Sequence, residues 1–198
     1  MLLVVLALFS LAVPALGADP AVDESYRSSC IKRTFGKMSY VRVAAGTSFQ
    51  HLRNAPREWG RGAAGFGRRM GTGFGRHMIR TGIQYGVSAA LHEQIGYIPS
   101  GKERFRPRLQ YALLSTVVTR KKITDRQTVA VGRISSAFGA GLISRLWMPA
   151  RFHTVANGVS SAGVSLGLDA GVNVFREFWP DMRKKVRRGN QSVKAPKP

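Results

Sequence analysis

The segment that decides the fold is residues 163–177, GVSLGLDAGVNVFRE. Its glycines recur at every fourth position, and a second series with the same spacing carries only polar side chains. Because positions four residues apart lie along one side of an α-helix, this spacing predicts a helix with a glycine row and a polar stripe. We expect the helix to run from about residue 153 to Trp179 and to end at Pro180, which interrupts helical hydrogen bonding.

The polar stripe of this helix is the candidate binding surface of the chain. It comprises Ser161, Ser165, Asp169, Asn173 and Glu177. Asp169 and Glu177 lie on one face of the helix, where they can bind a cation or pair with arginines of another helix. Because 31 Lys and Arg stand against 10 Asp and Glu, arginine pairing is the favoured alternative.

A second glycine-patterned helix is predicted upstream. Asn54-Ala55-Pro56-Arg57-Glu58 predicts its start, because Asn caps, Pro suits the first turn and Glu suits the positive end of the helix dipole. The helical period then continues to about Glu93, with a ridge of large residues at Phe66, Met70, Phe74 and Met78. Glycine costs about 0.8–1 kcal/mol per helical position relative to alanine, so we expect close helix packing at these rows. The glycines concerned are Gly67, Gly71, Gly75, Gly82, Gly86, Gly163, Gly167 and Gly171.

The charge of the chain points to an anionic partner. The formal net charge is +21 at pH 7, and the sequence pI is about 11.5. Basic side chains of the upstream helix lie mostly away from its glycine row. The candidate contacts with an anionic surface are Arg61, Arg68, Arg69, Arg76 and Arg80.

The N-terminal segment indicates export. Residues 1–18 carry no charge, are mostly Leu, Val and Ala, and end in the small residues Gly17 and Ala18. An apolar core of about 7–15 residues followed by small residues predicts a cleaved signal peptide, although the usual basic residue before the core is missing. Export favours an anionic membrane surface or an envelope polymer as the partner and disfavours nucleic acid. The single cysteine, Cys30, excludes an intramolecular disulfide.

The predicted organisation has four parts: a signal peptide at 1–18, a loosely ordered lead-in at 19–53, a helical domain at 54–180 and a basic disordered tail at 181–198. The predicted fold class is mainly α, a glycine-rich bundle of about four helices that associates with a membrane or packs as a compact unit. The alternative is an α fold with a β-hairpin in residues 109–140, because the run from Thr116 to Thr119 is β-branched.

No apolar stretch has the composition of a clean spanning helix. Residues 154–178, for example, carry Asp169, Arg176 and Glu177. Each Arg, Lys or Asp at mid-bilayer costs about 2.5–3.5 kcal/mol on an insertion scale. We therefore expect amphipathic helices that lie on or partly in a membrane, or a bundle whose basic face meets an anionic surface.

The sequence offers no catalytic motif, and we predict no cofactor and no metal site. The usual hydrolase, zinc, P-loop and dinucleotide spacings are missing. His92-Glu93 is the one adjacent acid–base pair, and neighbouring residues on a helix do not face each other. The sequence therefore gives no catalytic residue, and an enzyme is the least favoured class.

Several motifs together resemble an uncharacterised group of exported bacterial envelope proteins. They are the segments at 54–60, 89–93, 106–113 and 171–181, so the resemblance covers roughly residues 54–182. The group carries over no catalytic residues. The expected role is structural or interactive, at a membrane of the cell envelope or in the periplasm, with homo-oligomerisation through the glycine rows as an option. The alternatives are a soluble exported module that binds anionic polymer or nucleic acid, and third a lipid-modifying enzyme that uses His92, Glu93 or Asp169.

Overall fold

The computed structural model describes residues 20–194, and the predicted signal peptide lies outside them. This part of the chain contains six α-helices and a two-stranded antiparallel sheet. The helices are α1 Pro20–Phe35, α2 Lys37–Leu52, α3 Ala63–Ala90, α4 Phe105–Leu114, α5 Val131–Ile143 and α6 Val155–Lys194. The strands are β1 Val118–Arg120 and β2 Gln127–Val129, and short 3₁₀ turns lie at Arg57–Trp59, Ser144–Trp147 and Ala150–Phe152. The mainly α fold is confirmed, and so is the hairpin of the alternative, in which Thr119 lies opposite Thr128.

Two helices occupy the segment that we expected to be a loosely ordered lead-in. Both α1 and α2 pack against α3, where they cover the predicted ridge of large side chains. The Phe74 ring stacks on Tyr40 with centroids 5.5 Å apart, and Phe66 meets the edge of His51 at 5.4 Å. The prediction was wrong because the partner that stabilises these helices lies later in the chain, and short helices depend on such tertiary contacts.

The segment predicted to start the upstream helix forms an irregular turn, and α3 begins later, at Ala63. Arg69 explains the difference. Its guanidinium donates to the carbonyl oxygens of Ala55 at 2.9 Å, Pro56 at 2.7 Å and Gly60 at 2.7 Å. It also donates to the Asn54 side chain at 3.2 Å, so Asn54 does not cap a helix. Arg69 is only 1% exposed, which corrects its assignment as a contact with an anionic surface.

Helix α5 lies at the centre and packs against both α3 and α6. The approach is close because glycines stand at the contacts. A Cβ on Gly132 would lie 2.2 Å from the Ser88 hydroxyl on α3. A Cβ on Gly141 would lie 2.5 Å from the carbonyl oxygen of Gly158 on α6. The glycines that bring the helices together were therefore missed by the sequence analysis.

Six of the eight glycines predicted to pack helices face open space within the described part of the chain. In the described residues, nothing lies within 4 Å of a Cβ built on Gly67, Gly71, Gly75, Gly163, Gly167 or Gly171. Gly82 and Gly86 are half-buried on α3. These six glycines therefore make no close helix contact inside one molecule, and for them packing between copies is the part of the prediction that stays open.

Helix α6 continues past Pro180 to Lys194, so the predicted helix end and the predicted disordered tail are both wrong up to that residue. Contacts with α4 hold the helix on either side of the proline. Arg108 binds the Glu177 carboxylate at 3.1 Å and the Asp181 carboxylate at 2.5 Å. Residues 195–198 lie outside the described part.

Candidate functional site

The polar stripe of α6 faces the interior of the protein. Arg76 donates a hydrogen bond to Ser161, and Arg80 pairs with Asp169. The Asn173 amide donates to the hydroxyl of Thr116 at 3.2 Å, and Ser165 is half-buried. The stripe thus joins α6 to α3 and to the turn after α4, and the preferred alternative of arginine pairing for its acids is confirmed.

Glu177 is the most strongly bound member of the stripe. Its carboxylate accepts hydrogen bonds from the Tyr97 hydroxyl at 2.6 Å, from the Ser100 hydroxyl at 2.5 Å and from the Ser100 amide at 3.1 Å. Burial acts to raise the pKa of Glu177, but the hydrogen bonds from Ser100, Tyr97 and Arg108 outweigh it and lower that pKa from 4.5 to about 2. A carboxylate held in this way is a structural anchor between α6 and the loop before α4.

The opposite side of α6 is apolar and exposed. Val164 is 65% exposed and Leu168 is 67% exposed, and they lie beside the open glycine row. The outer apolar face of α6 is defined by Val164, Leu168, Phe175 and Trp179. Helices of water-soluble proteins normally turn such a face inward and their polar side outward. In α6 the arrangement is reversed.

The same reversal extends to the rest of the interior. Among the described residues, fourteen buried side chains are polar or charged and ten are hydrophobic, and five of those ten are alanines. Large apolar side chains are meanwhile exposed on α2, including Met38 and Leu52, at 70% and 79%. The interior is therefore held together by hydrogen bonds and close glycine contacts more than by a large apolar core.

The predicted surface arginines divide into two groups. Arg61 and Arg68 are exposed and remain available to an anionic partner. Arg76 and Arg80 are half-buried and bind α6, so they serve the helix interface together with the buried Arg69. Two of the five candidates therefore keep the location that a surface contact requires.

A second group of arginines surrounds a partly open cavity of about 50 Å³. Arg33 comes from α1, Arg42 from α2, Arg80 from α3, Arg133 from α5 and Arg176 from α6. This arrangement is not predictable from the sequence, because the five residues are spread over 144 positions and share no spacing. The fold alone brings them together.

The acid of the His92-Glu93 pair has a structural role. Glu93 is 2% exposed, and its carboxylate accepts hydrogen bonds from the backbone amides of Val131 and Gly132, both at 2.9 Å. These amides lie at the start of α5, where a negative charge stabilises the helix dipole. With Asp169 paired to Arg80, both acids considered for a lipid-modifying enzyme are committed to contacts within the fold.

Comparison with protein-family models, with curated proteins and with solved structures gives no match for this chain. Across the described residues, no helix combines the length and the apolar composition that crossing a bilayer requires. The fold and the surface define a mainly helical, strongly basic protein with a polar interior and exposed apolar helix faces.

Proposed function

We propose that the protein is an exported structural or interaction protein of the cell envelope that lies at a membrane surface. The observation that carries this proposal is the reversed orientation of α6, with its polar stripe inward and its apolar face outward. Burying a large apolar side chain is worth about 1.5–3 kcal/mol relative to leaving it in water. An apolar neighbour outside the chain would therefore stabilise this face substantially.

Charged residues flank the outer apolar face in the way that suits a membrane interface. Arg151 is exposed just before α6, and Arg183 and Lys184 are exposed beyond Trp179. Interfacial helices place an apolar face about 5–10 Å into the boundary between head groups and acyl chains, with Lys and Arg at the phosphates. Trp179 at the end of the face suits the same boundary. This arrangement needs no spanning helix.

Fractionation of cells that express the full chain tests the proposal. We expect the protein to sediment with membranes and to stay there through high-salt washing, because apolar contacts are not screened by salt. The variant Leu168→Glu places a charge on the outer apolar face, and we expect it to be released. The matched control is Gln110→Glu, which adds the same charge at an exposed position of α4.

Release of the unmodified protein by salt alone would contradict the membrane proposal. That outcome would favour the second candidate, a soluble exported module that binds an anionic polymer through its charge. The observation in favour of this candidate is the net charge of +21, with Arg61 and Arg68 exposed on α3. Equal release of Leu168→Glu and Gln110→Glu would show that the outer face of α6 does not carry the association.

A further inference from the structure

We propose that the arginine-lined cavity binds an anion of the phosphate class, either free phosphate or diphosphate or the phosphate of a lipid head group. Its lining carries five guanidinium groups, from Arg33, Arg42, Arg80, Arg133 and Arg176, against the single carboxylate of Asp169. Anion binding in this cavity is a separate property from the proposed membrane association, because a soluble anion can occupy the cavity whether or not the outer apolar face of α6 contacts lipid.

The positive charge of this cavity is not balanced within the described part of the chain. Arg80 is paired with Asp169, but the ion pairs among the described residues include neither Arg42 nor Arg176. Arg133 donates through Nη1 to the carbonyl oxygens of Ser115 and Thr116, which orient the guanidinium without neutralising it. An anion from outside would supply the missing negative charge.

These arginines lie close enough together for their positive charges to repel one another. Partial desolvation lowers the pKa of Arg42, which keeps an exposed surface, and the charges of Arg33, Arg176 and Arg80 lower it further against the opposing charge of Asp169. Burial also lowers the pKa of Arg133; the carboxylates of Asp169 and Glu93 oppose this effect, and the charges of Arg33 and Arg80 add to it. Like charges held close together in a partly buried site favour the binding of an opposite charge. A bound anion would relieve this repulsion.

The size and chemistry of the cavity fit one phosphate group. A volume of about 50 Å³ is room for about four water molecules at about 10–15 Å³ each, which one small oxyanion would displace. Guanidinium groups bind phosphate oxygens through paired hydrogen bonds, more specifically than lysine does. Thr81, Gln84 and Asn173 complete a polar lining on α3 and α6. Because each arginine comes from a different helix, the site exists only in the folded chain.

Calorimetric titration of the purified full chain with inorganic phosphate and with diphosphate tests the proposal. We expect saturable binding at one site, weakened roughly tenfold by Arg42→Gln and again by Arg176→Gln, because each substitution removes a charged hydrogen-bond donor. The matched control is Arg106→Gln, which removes one exposed charge on α4 outside the cavity lining, and which we expect to bind as the unmodified protein does.

A second arm identifies the source of the anion. Vesicles of phosphatidylcholine with and without phosphatidylglycerol are titrated, and diphosphate is added as a competitor. Binding that needs phosphatidylglycerol and Arg42, without saturation by the soluble anions, assigns a lipid head group. Saturation by soluble anions assigns free phosphate or diphosphate. An equal loss in Arg106→Gln, or no arginine-dependent binding in either arm, would overturn the proposal.

These outcomes are independent of the membrane test. If the unmodified protein does not sediment with membranes after high-salt washing, the proposed function is refuted and the calorimetric result is unaffected. Conversely, salt-resistant sedimentation that is unchanged in Arg42→Gln, together with no anion binding, would refute the cavity proposal alone. Circular dichroism of each variant shows that the helices are retained, so a loss of binding is not a loss of fold.

Discussion

The contact between α5 and α6 predicts that two glycine-to-alanine substitutions have opposite effects. In Gly141→Ala the new methyl group would lie 2.5 Å from the carbonyl oxygen of Gly158 and 3.4 Å from the amide nitrogen of Ala162. Overpacking of a well-packed contact costs about 1–3 kcal/mol, and a backbone atom cannot move aside as a side chain can. Taking the upper value, and allowing about 1 kcal/mol for the better helix propensity of alanine, we expect a net loss of about 2 kcal/mol.

The matched substitution is Gly167→Ala on the open row of α6. Among the described residues, nothing lies within 4 Å of its Cβ position, so only the propensity term remains. We expect this variant to gain up to about 1 kcal/mol, which separates the two variants by about 3 kcal/mol. Denaturant unfolding of both proteins, followed by circular dichroism in one detergent or buffer, measures the difference.

The two variants also distinguish packing within a molecule from packing between molecules. If Gly141→Ala is as stable as the unmodified protein, the close approach of α5 and α6 is refuted. The bulkier Gly167→Leu tests the contact between copies that the glycine row predicts. We expect it to reduce the oligomer size in membranes or detergent, and an unchanged oligomer size and stability would remove that prediction.

Three further predictions concern polar groups that are buried or half-buried. Glu177→Gln should lower the free energy of unfolding by about 3 kcal/mol at neutral pH. Because the pKa of Glu177 is depressed, the unmodified protein loses this extra stability as pH falls from 4.5 toward 2. The free energies of unfolding of the two proteins, measured with denaturant, should therefore converge near pH 2. Arg69→Lys keeps the charge but loses the planar donor fork, and we expect a loss of about 2–3 kcal/mol in the same assay; unchanged stability would show that Arg69 does not hold residues 54–60. The pKa of His77 lies below its ordinary 6.5, mainly because of burial and also because of the charges of Arg42, Arg33 and Arg80. The hydrogen bond of His77 to the backbone carbonyl of Arg33 acts in the opposite direction. The unfolded chain therefore takes up a proton that the folded protein does not, so stability should fall as pH drops through 6.5 and His77→Gln should flatten that dependence in thermal unfolding.

The periodic features of the sequence were predictable, but the side on which they lie was not. Four-residue spacing correctly predicted a helix that carries a glycine row and a separate polar stripe. Which side faces inward depends on its partners, and Tyr97, Ser100 and Arg108 all lie about 70–80 positions from Glu177. Helical periodicity describes one helix and carries no information about such distant groups.

The arginines also show that sequence periodicity does not predict which side chains are buried. Arg68 and Arg69 are adjacent arginines, yet Arg68 is exposed and Arg69 is buried among carbonyl oxygens. The difference arises because the turn at residues 54–60 folds over one side of α3. The five arginines of the cavity have no common spacing, so only their tertiary arrangement identifies them as a site.

The apolar exterior and the positive charge together constrain the kind of partner that the protein can have. A low-polarity neighbour would stabilise the outer apolar face of α6, and anions would stabilise a net charge of +21. A nucleic acid or an anionic polymer supplies the charge without the apolar phase, whereas an anionic membrane supplies both within a few ångströms. The membrane proposal therefore predicts different effects of high salt and of Leu168→Glu on membrane association. High salt should slow the encounter with the membrane without reversing it, and Leu168→Glu should reverse it at low salt. A protein that follows the opposite pattern, released by salt and unaffected by Leu168→Glu, would bind through charge alone, and its apolar faces would have to be covered by other copies of the chain.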